Sequence, residues 1–212
     1  MDIPIFYAVY DEDESIYIGP AIIKNGIPSF TGELVPIKSI PRISRDTRGI
    51  AIIVDVKGLT RKNFDDRLLT TMDIPGSDIW YLTQIDSSSD ILDGFMGNVS
   101  KLLIPYHTSR STAMLKDAFE MSDECIPTIF VSDGLAMCRD DKKRKLSDIV
   151  EEMTNIGFAN TIVLDTDGSV KEEEWEDIRA RFPSVIPYVG NGTSINTIKS
   201  MIFEDIIIDH LY

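Results

Sequence analysis

Eight runs of mostly apolar, β-branched residues punctuate the chain, at 3–10, 49–56, 78–85, 101–108, 126–133, 160–167, 185–192 and 203–210. Strands that stay apolar without alternating are buried on both faces, which is the mark of a parallel sheet with helices outside. Several of the intervals carry helical spacing. Leu146, Ile149, Val150, Met153 and Ile156 share one helix face, and Gly157 stands where a C-cap belongs. Trp175, Ile178 and Phe182 mark the next helix, and Ile195, Ile198 and Ile202 the one after. Leu115, Ala118 and Phe119 mark an earlier one, capped by Ser111 or Thr112.

Eight strands of this kind predict an α/β fold, a (β/α)8 TIM-type barrel spanning 1–212 as a single domain. An open doubly wound sheet is the runner-up, but no G-x-G-x-x-G follows the first strand. The barrel lacks its first and last helices. Residues 11–48 hold Pro20, Pro28, Pro36 and Pro41 with several glycines, and read as a hairpin and loop extension. First and last helices are neighbours in a barrel, so one flank is left bare. Either the 16–40 segment folds over it or a second copy does, as a homodimer.

The charge narrows the partners. The 212 residues carry a formal charge of −14, a field that disfavours nucleic acid and anionic membrane surfaces. The one basic run, Lys142 to Lys145, reads as the solvated face of a starting helix. No signal-peptide layout or run of about 18 apolar residues occurs, so a cytoplasmic protein is expected. Cys125 and Cys138 have no zinc-finger partners.

Barrel active sites lie at the C-terminal strand ends, and here those ends are polar. Asp55, Gln84, His107, Asp133, Asp165 with Asp167, Asn191, and Asp209 with His210 close seven of the runs. The plainer reading of Asp55 and Asp165 is capping of the elements that follow.

The stretches IVEEMTNIGFANTIVLDTDGSV, VIPYVGNGTSINTIKS and EDIIIDHLY resemble the second half of the histidine-biosynthesis phosphoribosylformimino-aminoimidazole-carboxamide ribotide isomerase family. They are most similar to its archaeal-type relatives. IAIIVDVKG and DIWYLTQIDSSSDI fit the second and third strands, so the resemblance covers roughly 49–212. It implies a barrel of two similar halves, an Amadori-type aldose–ketose isomerisation of a phosphorylated small molecule, and no metal or other cofactor. Its acid–base pair, at the tips of the first and fifth strands, falls on Tyr10 and Asp133, with Tyr10 expected to face the barrel axis. Its phosphate loops fall partly on Gly190, Asn191, Gly192 and Thr193, while Asp86 and Asp209 place acids where phosphate would sit.

Three readings follow. A divergent isomerase would use Asp133 with Asp165 or Asp167 as acid and base. Asp55, Gln84 and His107 would orient substrate, and Gly190–Thr193 would hold one anion. A non-catalytic scaffold or binding barrel is the alternative. A divalent-metal enzyme using the ring of aspartates is the third. DTDG at 165–168 matches only the opening of a calcium loop, whose closing glutamate would fall inside a helix at Glu176.

Overall fold

The computed structural model describes residues 1–11, 14–37, 49–72, 78–97, 99–109, 111–139, 142–189, 198, 201 and 203–209. Eight parallel strands close into a barrel. They are β1 (Asp2–Tyr10), β6 (Ile50–Asp55), β7 (Asp78–Leu82), β8 (Lys101–Pro105), β9 (Cys125–Ser132), β12 (Thr161–Asp165), β13 (Val185–Val189) and β14 (Ile206–Asp209). The order runs β9-β12-β13-β14-β1-β6-β7-β8, and β8 pairs back with β9 to close the ring. All eight coincide with the apolar runs of the sequence.

Alternation along each strand sorts the core into two layers. Ile3, Ile5, Tyr7, Ile52, Val54, Leu82, Leu103, Phe130, Leu164, Tyr188 and Ile207 fill the barrel interior. Phe6, Ala8, Ile53, Tyr81, Ile104, Val131, Val163 and Ile206 face outward against the helices. Each fully buried branched side chain contributes about 1.5–3 kcal/mol. A one-residue slip would exchange the layers, so the inner and outer sets fix register together.

Among the described residues six helices pack outside. They are α1 (Val56–Arg61), α2 (Arg67–Thr71), α3 (Ser88–Met96), α4 (Thr112–Met121), α5 (Leu146–Ile156) and α6 (Glu172–Arg181). Ser111 caps α4 through Met114 N, and Gly157 ends α5 in the left-handed region at φ 118°. Leu146, Ile149, Val150 and Met153 are buried together, as their spacing requires. The basic run departs from expectation. Lys143–Arg144 form β11, antiparallel to β10 (Leu135–Met137), before α5 begins. Of the 195–202 helix only Ile198 and Met201 lie within the described residues, and both are buried.

The 11–48 extension supplies strands and, among its described residues, no α-helix. Strand β2 (Ile16–Gly19) runs antiparallel to Tyr7–Tyr10 of β1 and pairs with β5 (Val35–Pro36). Its Ile18 and Ile16 stand beside Ala8 and Tyr10, their partners across the ladder, and are buried in the same outer layer, so the extension widens the sheet at β1. β3 (Ala21–Lys24) and β4 (Ile27–Phe30) form a separate hairpin. Asn25 and Gly26 join them at φ 51° and 72°, the backbone of a two-residue type I′ turn, where Asn-Gly is the favoured pair. No described helix is long and apolar enough to cross a membrane.

Candidate functional site

The β3–β4 hairpin lies across the C-terminal end of the barrel. Ala21 and Ile23 point down into the interior cluster, with Phe30 packed against it, while Ile22 and Lys24 point away. On one side β4 rests on α1, where the Thr60 hydroxyl donates to the Pro28 carbonyl. On the other, the Gly26 turn sits on His107 at the tip of β8. A Cβ at Gly26 would lie 2.9 Å from His107 Cε1 and closer to Nε2, so only glycine permits this approach. The extension is therefore both an added strand beside β1 and a cap.

Beneath the cap, inward-facing polar side chains line the mouth. The His107 ring meets the Phe130 ring edge-on at 4.7 Å. Burial, with a smaller contribution from the charge of Lys62, lowers its pKa to about 4. Its Nδ1 is buried without a hydrogen-bond partner. Gln84 is 1% exposed. Its Nε2 donates to Asp86 Oδ1 at 2.8 Å and to the Thr108 carbonyl at 3.3 Å. Two acceptors on the nitrogen fix the orientation of the amide, and Oε1 is left buried and unpaired. Asp209 accepts from the Tyr188 hydroxyl at 2.7 Å through Oδ2, and its Oδ1 is unpaired. Burial raises the Asp209 pKa above the ordinary carboxylate value, and the Tyr188 bond offsets part of that.

The other acids sit elsewhere. Asp55 faces outward and caps α1, accepting from Gly58 N at 2.9 Å. It also takes the hydroxyls of Tyr81 and Thr83, at 3.1 and 3.0 Å. Burial dominates and raises its pKa despite those donors. Asp165, fully buried, turns away from the axis and accepts from Ser169 N and Val170 N. Burial pushes its pKa to about 6, and the neighbouring Asp167 adds to the rise. For Asp167, burial alone would raise the pKa. Donors outweigh it: the Ser169 hydroxyl, the Asp133 N–H, Asp165 and the Ser169 N–H together hold it below the ordinary value. The two acids of DTDG thus fold a loop and tie it to the neighbouring strand.

Asp133 and Gly134, at φ 55° and 72°, form the two-residue turn between β9 and β10. The Asp133 side chain is 81% exposed and pairs with Lys143 at 2.6 Å. Tyr10 reverses its expected direction. It packs on the outer layer, its carbonyl accepts from Lys57, and the Arg67 guanidinium lies 5.4 Å from its ring centre. In β1 the odd positions Ile3, Ile5 and Tyr7 face the axis, so Tyr10 falls on the outer face.

Among the described residues singled out in the sequence, only Gln84, His107 and Asp209 are brought to the inner wall by strand alternation. Gly190, Asn191, Gly192, Thr193 and His210 lie outside the described residues. Among the described residues no three His, Cys, Asp or Glu side chains gather closely enough to hold a metal ion. Tyr188 was not singled out. The signal for it was an inward strand position three residues before the polar strand end at Asn191. No protein-family model matches this chain, and no curated protein matches it.

Proposed function

We propose that this chain is a small-molecule-binding barrel, without the ribotide isomerase activity, whose mouth is closed by its own β3–β4 hairpin. The observation that carries this reading is the Asn25–Gly26 turn seated on His107, with Ala21 and Ile23 buried in the interior cluster. Aldose–ketose isomerisation needs an acid and a base facing the same sugar chain. At the two strand tips where the resemblance puts them, Tyr10 packs outward and Asp133 lies in a solvent-exposed turn. The inner wall instead offers acceptors and neutral groups suited to holding a ligand still.

A direct assay tests this. The protein is incubated with the family's ribotide substrate and with ribose 5-phosphate, and the products are followed by chromatography. No isomerisation is expected. Turnover lost on Asp133→Asn would overturn the proposal.

A divergent isomerase is the second reading, favoured by one observation: Asp209 is a half-buried carboxyl of raised pKa on the inner wall. It has the character of a general acid. His107, lowered to about 4, is a weak base at neutral pH, so among the described residues of the inner wall Asp209 has no strong base as a partner.

A further inference from the structure

We infer that the β3–β4 hairpin is an acid-released latch, which protonation of His107 lifts from the barrel mouth. This rests on the reading above that the hairpin closes the mouth, and adds how that closure is controlled.

The contact leaves a second ring proton without an acceptor. The His107 ring lies between the Phe130 ring, edge-on at 4.7 Å, and the Asn25–Gly26 turn. Its Nε2 is the ring atom nearest the place a Gly26 Cβ would take, so that nitrogen faces an α-carbon, which accepts no hydrogen bond. Nδ1 is buried without a partner. Neutral imidazole donates from one nitrogen, whereas imidazolium donates from both and carries a charge. The charged groups of the packed elements offer that charge no relief. Lys62, at the end of α1, is a like charge acting on the ring. Lys24 of the hairpin points away. Asp86, beyond the tip of β7, accepts from Gln84, and Asp209, across the ring of strands, accepts from Tyr188. Strand β9 presents only Phe130. Burial first, and Lys62 second, hold the His107 pKa at about 4. In water the ring titrates near 6.5, so closure weakens as pH falls from 6.5 toward 4.

The hairpin is built to move as a unit. Among the described residues it is a two-stranded sheet with no ladder to the barrel sheet. At its base the Thr31 N–H donates to the Pro20 carbonyl at 2.9 Å, which keeps the strands joined when the tip lifts. Ala21, Ile23 and Phe30 on the interior cluster and the Thr60 bond to Pro28 hold it down. None of these titrates, so His107 is the contact through which acid acts.

The test is amide hydrogen exchange of the intact chain at pH 7.5 and pH 5, each rate divided by the intrinsic rate at that pH. A ring at about 4 when closed and about 6.5 when open makes opening about thirtyfold more frequent at pH 5. Amides of β3 and β4 should lose protection by that factor, and those of β7 and β8 far less. His107→Gln, which takes no proton, should flatten the response. Lys62→Asn keeps a residue suited to the left-handed backbone at φ 53° and should make the response shallower. Hairpin amides equally slow at both pH values keep the closed mouth and overturn the latch. Equal loss across hairpin and barrel means global unfolding, and also overturns it. So does acid release that persists in full in His107→Gln, or in Lys62→Asn should the first variant not fold. Hairpin amides already unprotected at pH 7.5 overturn the closed mouth itself.

Discussion

At the scale of single residues, the acids divide by what they accept. Asp55 joins three donors in the space between barrel and helices, so its loss strands two buried hydroxyls and uncaps α1. Asp55→Ala should cost about 3 kcal/mol in denaturant unfolding. Asp133→Asn keeps a residue that tolerates the left-handed turn and removes only an exposed ion pair, so it should change stability by less than about 0.5 kcal/mol. Two buried groups pull pH dependence in opposite directions. Asp165 titrates near 6 when folded against 3.8 ordinarily, so the folded state holds a proton the unfolded chain has released. Its effect is a loss of about 3 kcal/mol as pH rises from 3.8 to 6. His107 titrates near 4 against 6.5, so the unfolded chain gains the proton first. Its effect is a similar loss as pH falls from 6.5 to 4. Between pH 4 and 6 the two nearly cancel. Asp165→Asn should therefore expose the acid lability of His107, read as a Tm that falls steeply below pH 6.5; an unchanged profile would contradict both assignments.

Among the elements, the strands were the most legible. Short near-continuous runs rich in β-branched residues fit strands buried on both faces, and the structure places a barrel strand in each. What the sequence reading missed follows from turn chemistry. Asp133-Gly134 is the same left-handed pair as Asn25-Gly26, flanked by apolar residues, yet its position after the fifth strand invited a catalytic reading. Lys143 and Arg144 then form the short β11, where the charge run suggested a helix start. The resemblance puts its first-strand acid on Tyr10 and so turns Tyr10 inward, whereas the inner set of β1 is Ile3, Ile5 and Tyr7, which leaves position 10 on the outer face. Strand-end polarity likewise says nothing about side: Asp55 and Asp165 fall on the outer parity, Gln84, His107 and Asp209 on the inner. The hairpin itself is testable as an element. Gly26→Ala adds a Cβ that meets His107 and strains a φ of 72°, so hydrogen exchange at 21–30 should quicken while that of β7 and β8 stays slow.

For the whole molecule, the extension changes what the barrel requires of a partner. Phe6 and Ala8 are buried within the single chain, with Ile16 and Ile18 beside them in the same outer layer, so the outward side of β1 is packed without a second copy. Ile22, Ile27, Leu34 and Val35 remain partly exposed on the extension, at 36–42%, but Ile22 and Ile27 stand across the hairpin from the exposed Ser29 and Lys24. With a formal charge of −14 on each copy, self-association is opposed at low salt. Sedimentation at micromolar concentration should return the 23.8 kDa monomer; a dimer that dissociates on Ile27→Asp would place an interface on the extension instead. The same extension lies over the mouth, and His107 reports on it. The most direct measurement is an NMR pH titration of the His107 ring, assigned against His210→Gln, in the intact chain and in Gly26→Ala. A ring that titrates near 4 in the intact chain, and moves toward 6.5 once the hairpin is displaced, is the predicted result. A ring already titrating near 6.5 in the intact chain would mean that water reaches the mouth freely and that the hairpin closes nothing.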